Sequence, residues 1–346
     1  MLEKNYNVYG VHRRSSTTNF QRIQHLVDNS NFYTVEGDIT DPISVSGIIS
    51  DVQPDECYNL AAMSHVATSF EQPVYTSLVN YMGVQYILDS IVKYSPQTKF
   101  YQASTSECFG DNYSTELNGI KYQDEQTALS PLSPYAVAKT AAHNLVYNYR
   151  KAYDIFACSG LLFNHESCRR GDNFVTRKIT KWIGEFYKWS DGLACLNMHE
   201  QGFGMCEALE FQSKHTDRIY RSNLDNKGFP KLRLGNLDAS RDWGHSKEYV
   251  KVMWMMLQQD KPEEYVIATG KTYSIRQFLD VAFKEVGIND WYNYVVVDPK
   301  FYRPSDVEYL LGDASKAKRE LGWEPKVKFK ELVKIMMEYE LKIKIK

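Results

Sequence analysis

TKFYQASTSE, residues 98–107, begins as a short apolar strand, TKFYQAS at 98–104, and ends in the polar run STSE at 104–107. Three earlier stretches have the same form. NVYGVH at 7–12, NFYTVEGD at 31–38 and CYNLAA at 57–62 read as strands that end in RRSS, GD and AAMSH. Between them, ISVSGIIS and PVYTSLVNYMGVQYILDSIVKY have the lengths and apolar spacing of helices, and DIFACSGLLFN at 154–164 supplies a further strand. Strands alternating with helical crossovers predict an α/β fold, a Rossmann-like and mostly parallel sheet with helices on both faces. Ligands of such sheets sit outside the carboxyl ends of the strands. Any one of the four polar stretches also fits an ordinary solvated loop, but four in register place a site there.

The second half holds helical patterns in HSKEYVKVMWMMLQQ, YSIRQFLDVAFKEV and FKELVKIMMEYELKI, with YVIATG as a strand. HESCRRGDNFVTRKI at 165–179 reads as a polar loop entering a helix. A first domain over 1–165 is expected, then a smaller mixed α/β substrate domain over 166–346, some of whose elements return to the first. The block at about 190–230 is less regular, with a helical turn at CEALEF and a loop at NLDNKG, and reads as an insertion. Its Cys195, Cys206, His199 and His215 lack the spacing of a metal site.

A chain of 346 residues is long enough for two such units, and its formal charge of -2 gives no overall bias toward nucleic acid. No charged leader precedes an apolar run, and no uncharged stretch is long enough to cross a bilayer, so a soluble cytoplasmic protein is expected. The six cysteines form no CxxC pair and the eight histidines no HExxH. Neither a disulfide framework nor a bound metal is suggested.

In SPYAVAKTAAH, Pro134 can open a helix, and Tyr135 and Lys139 then lie one turn apart on one face. A phenol titrates near about 10 and needs help to act as a base at neutral pH. A nearby ammonium favours the phenolate, and a nicotinamide cation adds to that effect. Such a tyrosine can take a hydroxyl proton as hydride leaves the same carbon. The pair alone also fits a packed tyrosine beside a surface lysine. Thr105 can hydrogen-bond a sugar hydroxyl. Glu107 can remove a carbon-bound proton next to a ketone and protonate a departing hydroxyl, or it can serve as a helix-cap partner or solvated carboxylate. Arg13, Arg14 and Ser15 suit the 2'-phosphate of NADP, the alternative being a solvated basic turn. Asp38 can accept from an adenine or ribose group, and Leu60, Ala61, Ala62, Met63 and Ser64 can wall the nicotinamide side. None of these grips a pyrophosphate.

VYGVHRRSS, NLAAMSHV, STSECFG, SPYAVAKTAAH, LLFNHESCRRGDNFVTRKI, LRLGNLDASRDWGH and FYRPSDVEYLLGD together resemble the GDP-mannose 4,6-dehydratase family, within the extended short-chain dehydrogenases/reductases. The resemblance covers most of the chain outside about 190–230. It implies catalysis by Thr105, Glu107 and Tyr135, with Lys139 holding the cofactor ribose and assisting Tyr135. It implies NADP contacts from Arg13, Asp38, Ile39, Leu60 to Ser64, Tyr75, His165 and Arg170. For the GDP-sugar it implies Asn164, Val175, Lys178, Arg241 and Arg303. The implied reaction is conversion of GDP-D-mannose to GDP-4-dehydro-6-deoxy-D-mannose and water, by a homodimer or homotetramer.

Three departures stand against the family pattern. The family opens with a strand and a glycine-rich turn, and roughly 20 residues of that unit are expected to be missing before MLEKNYNVYG. The 190–230 block has little counterpart, and Met63 stands where glutamine is usual. A related nucleotide-sugar epimerase, and a catalytically inactive structural partner or fragment, remain the competing expectations.

Overall fold

The computed structural model describes residues 1–17, 20–115, 119–200 and 228–342, with side chains at 191–200 and at 342 excepted. CEALEF, most of NLDNKG and the four Cys/His side chains of the insertion lie outside the described residues. Two compact units emerge. The first comprises Met1–Leu162, Val250–Ile267 and Asp313–Trp323, and the second Phe163–Tyr249, Ala268–Gly312 and Glu324–Lys346.

In the first unit β1 (Val8–His12) pairs in parallel with β2 (Phe32–Glu36) as a two-stranded sheet. A second parallel sheet contains β3 (Glu56–Asn59) and β4 (Lys99–Thr105). A small hairpin, β5 (Ser114–Thr115) with β6 (Lys121–Tyr122), precedes β7 (Ala157–Leu162), which pairs with β4. All six β7 residues are buried, the unalternating pattern of a strand covered on both faces. Tyr265–Ile267 pairs with the far side of β7 and completes the sheet.

Helix α1 (Pro42–Val52) starts where the Asp41 carboxylate accepts from the Ile43 N–H, with Pro42 at the first position. Helix α2 (Val66–Glu71) leads into α3 (Pro73–Ser77), a π turn at Leu78–Met82, and α4 (Gly83–Tyr94). The helix expected over 73–94 is therefore present, with a π turn inside it. Val45, Ile49, Leu88, Ile91, Phe100, Val146 and Ala157 form one buried cluster among α1, α4, α5 (Pro134–Tyr153) and the sheet. Burial of each large side chain stabilises by about 1.5–3 kcal/mol. A Cβ at Gly83 would lie 2.5 Å from Ile39, so glycine is what lets α4 approach the β2–α1 turn.

In the second unit β8 (Asn164–Glu166) pairs in parallel with Trp243–His245 of β10 (Ser240–His245). β12 (Thr272–Ser274) runs antiparallel on the other side of β10. β9 (Leu232–Leu234) pairs in parallel with β13 (Val295–Val297), and Tyr265–Ile267 of the first unit is β11. The core gathers Ile179, Ile183, Phe278, Phe283, Leu332, Val333 and Met336 from three helices around Trp243. Helix α6 (Val175–Glu200) continues ten residues into the block expected to lose regularity at about 190. No described helix is long and apolar enough to cross a membrane.

Candidate active site

At the carboxyl end of β4 the Thr105 side chain accepts a hydrogen bond from the Glu107 N–H at 3.3 Å and caps the short turn Ser106–Phe109. That bond uses an oxygen lone pair of Thr105 and leaves its proton for another acceptor. Glu107 is half-buried and its carboxylate makes no hydrogen bond among the described residues. Gly110 closes the turn at φ +55°, where a Cβ would strike the Ser130 carbonyl.

Helix α5 begins at Ser133, whose hydroxyl accepts from the Ala136 N–H at 3.1 Å, with Pro134 in the first turn as expected. Tyr135 and Lys139 follow, both buried, one turn apart. The Lys139 ammonium donates to the Ala103 carbonyl at 2.9 Å. Burial lowers its pKa to about 8, with Cys108 acting weakly the other way. Helix α5 thus delivers a buried ammonium to the end of β4, next to the turn that holds Thr105 and Glu107. One of its three N–H donors is spent on Ala103, which leaves two for a ligand hydroxyl.

Asn80, inside the π turn, accepts from the Met63 N–H at 2.8 Å and donates to the Met63 carbonyl at 3.1 Å. Asn59 donates to Gln102 at 2.8 Å and accepts from the Ala61 N–H at 3.2 Å. The Leu60–Ser64 stretch is therefore held through the backbone of Ala61 and Met63, in bonds that do not involve the Met63 side chain. Reading the sequence alone missed Asn80, because the partner lies 17 residues away and a helical asparagine carries no local signal.

Asp38 accepts from both the Thr40 N–H, at 2.9 Å, and the Thr40 hydroxyl, at 2.8 Å. The Thr40 N–H, then its hydroxyl and Arg13, hold the Asp38 carboxyl below the usual range against a desolvation that opposes them. Arg13 donates to the Tyr75 hydroxyl at 2.7 Å, joining two of the residues expected at a cofactor. Arg14 is exposed, 3.8 Å from Glu36, and the Ser15 hydroxyl turns back to the Thr17 carbonyl. The Ile39 side chain packs against the α1–α4 core.

The other expected residues belong to the second unit. His165 donates from Nδ1 to the Phe163 carbonyl at 2.8 Å, since a carbonyl only accepts, and its ring stacks on Tyr249. Burial lowers its pKa, so Nε2 of the neutral ring is an acceptor. Arg170 lies 3.3 Å from Glu166. Val175 and Lys178 stand on the first two turns of α6, with the Lys178 ammonium 3.6 Å from the centre of the Phe301 ring. Arg241 and Arg303 share one oxygen of Asp306, at 3.1 and 2.9 Å. Behind Arg241, buried Asp242 accepts from Thr269, Gly270 and Gly312, and burial raises its pKa to about 6. Asp306 and Asp242 were passed over in the sequence because Arg241 lies 65 residues from Asp306 and the donors to Asp242 lie 27 to 70 residues away. Among the described residues no group of three or more His, Cys, Asp or Glu side chains is placed to hold a metal ion.

The parallel sheet, the Thr–Ser–Glu turn ending its central strand and the Tyr–Lys pair on the next helix define the class: a Rossmann-like short-chain dehydrogenase/reductase fold. Solved structures agree on the fold. UDP-glucose 4-epimerase of Thermotoga maritima is 22% identical, with TM-score 0.75 and coverage of 99% of this chain and 93% of that one. dTDP-glucose 4,6-dehydratase of Bacillus anthracis, in complex with NAD, is 20% identical, with TM-score 0.71 and coverage of 99% and 91%. The family model described as GDP-mannose 4,6 dehydratase matches residues 1–189 and 203–336, and the chain belongs to that family. A GDP-mannose 4,6-dehydratase of Vibrio cholerae is 42% identical over 99% of this chain and 89% of its own length. One from Drosophila melanogaster is 42% identical over 99% and 82%.

Proposed function

We propose that this chain converts GDP-D-mannose to GDP-4-dehydro-6-deoxy-D-mannose and water, with bound NADP. The observation that carries the reading is the convergence on the end of β4: Thr105 and Glu107 in its capped turn, and buried Lys139 donating to Ala103. That set fits an oxidation coupled to an elimination. Lys139 has two donors to spare for ribose hydroxyls, and Arg13, Tyr75 and Asp38 form a polar cluster suited to the adenosine end. Arg13 and Arg14 favour the 2'-phosphate, hence NADP over NAD.

When bound, the cofactor supplies the acceptor and then the donor for the hydrogen that leaves C4 and returns at C6. Tyr135 removes the O4 proton as C4 becomes a ketone, and the Lys139 ammonium stabilises the phenolate. Thr105 holds the C4 oxygen. The ketone makes the C5 proton acidic, and Glu107 takes it; the same carboxyl protonates O6, so the C6–O bond breaks and water leaves. The proton that Tyr135 took from O4 goes to C5 as hydrogen is delivered at C6, which completes the product with a net loss of one water and leaves Tyr135 and Glu107 as they began. Arg241 and Arg303 would bind the diphosphate, their shared Asp306 keeping both in place. Asn164, Val175 and Lys178 serve the rest of the nucleotide sugar. The active form is a soluble homodimer or homotetramer in the cytoplasm.

The test combines titration of the purified chain with NADP and NAD in a calorimeter and turnover of GDP-mannose deuterated at C4. Saturable, tighter NADP binding and deuterium at C6 of a 4-keto product are expected. Unlabelled product would refute the internal transfer. Inversion at C4 without loss of water would assign an epimerase, and a folded chain that binds neither cofactor would be a structural partner.

A further inference from the structure

We propose that Glu166 is a positioning residue that fixes the Arg170 guanidinium and thereby sets how tightly the chain holds an anionic group of its cofactor. The inference rests on the assignment of Arg170 to the cofactor given above. Glu166 ends β8 and is 2% exposed, and a carboxylate so deeply buried is retained only with partners. It has two. The buried Thr176 hydroxyl, in the first turn of α6, donates to it at 2.7 Å, and the Arg170 Nε lies 3.3 Å away as an ion pair.

Arg170 is held from a second direction. Its guanidinium carbon sits 3.6 Å above the centre of the Phe174 ring, so the flat face is covered. The Nε–Glu166 contact is an ion pair without hydrogen-bond geometry, and together with the Phe174 ring it holds the guanidinium from two sides. Nη1 and Nη2 make no hydrogen bond among the described residues and form the outer edge, the fork that suits a phosphate oxygen pair. The side chain keeps 23% of its surface exposed, so that edge is reachable. A flexible arginine loses rotamer freedom when it binds an anion, whereas this one has lost it beforehand. The carboxylate therefore acts on affinity through the orientation of Arg170.

The test measures NADPH affinity by fluorescence titration, together with kcat and KM, for wild type, E166Q, R170A, E166Q/R170A and T176V. Glutamine keeps the shape and the acceptor for Thr176 while removing the charge facing Arg170. E166Q is expected to weaken NADPH binding about tenfold, with kcat at saturating cofactor within about twofold of wild type. The double variant should bind no worse than R170A alone, because the glutamate acts through the arginine. T176V loses only the helix bond and should leave affinity unchanged. Wild-type affinity in E166Q beside a loss in R170A would overturn the role of Glu166 and leave the cofactor assignment standing. Wild-type affinity in R170A would overturn both. Equal losses in E166Q and T176V, or additive losses in the double variant, would make Glu166 a fold-supporting residue only.

Discussion

Replacement of Lys139 by methionine should separate catalysis from stability. In the apo protein the ammonium is 3% exposed and holds one hydrogen bond, and burial lowers its pKa from 10.5 to about 8. A shift of that size means the charged form costs on the order of 3 kcal/mol in the folded state at neutral pH. Methionine removes that cost but strands the Ala103 carbonyl, a loss of about 1–3 kcal/mol, so the two states should be nearly equal in stability at pH 7. Above pH 8 they diverge. The folded pKa is depressed, so between about 8 and 10.5 the unfolded chain binds more protons than the folded one, and wild-type stability rises with pH. The difference between wild type and K139M should grow in favour of wild type by about 1.4 kcal/mol between pH 7 and 9. Urea midpoints of both proteins across that range measure it, and the variant's turnover should fall on the order of a hundredfold or more. Parallel midpoints from pH 7 to 9.5 would show that Lys139 stays charged in the folded protein, and would refute this account of its environment.

Y135F should remove C4 oxidation and E107Q the elimination, each lowering kcat by about 10²–10⁴, read as product formation under saturating substrate. Near-normal turnover of either would end its assignment. R13A frees Tyr75 and removes one cation, and the NADP-over-NAD preference should fall about tenfold in calorimetric titration. An unchanged ratio would place the 2'-phosphate elsewhere. D242N sets an amide N–H₂ against backbone donors at Gly270 or Gly312, and should destabilise the apo protein at pH 7 by about 1–3 kcal/mol. Because the folded pKa of Asp242 is raised to about 6, the wild type should gain on D242N as pH falls from 7 toward 4, measured by the same midpoints.

The sheet and its helices were legible from strand runs and crossover lengths, and the Ser133–Pro134 start of α5 from its capping pattern. Thr105, Glu107, Tyr135 and Lys139 could be read from spacing because each pair is local: two residues of one turn, and two residues on one face of one helix. The π turn at 78–82 was not legible, since a continuous apolar pattern over 73–94 does not distinguish one extra residue per turn. The continuation of α6 to Glu200 was missed because Asp191 and Gly192, poor helix formers in sequence, read as the end of its pattern.

By itself the sequence determined the α/β class, the order of elements and the residue types at the ends of the strands, because hydrophobic periodicity and helix caps act over a few residues. The tertiary structure decided which of those side chains do more than occupy a loop. Asn80 on Met63, Thr176 on Glu166 and Arg241 on Asp306 are bonds between segments 17, 10 and 65 residues apart. The depressed pKa of Lys139 likewise follows from burial. Desolvation and partner geometry exist only once the chain has packed, and no local pattern encodes them.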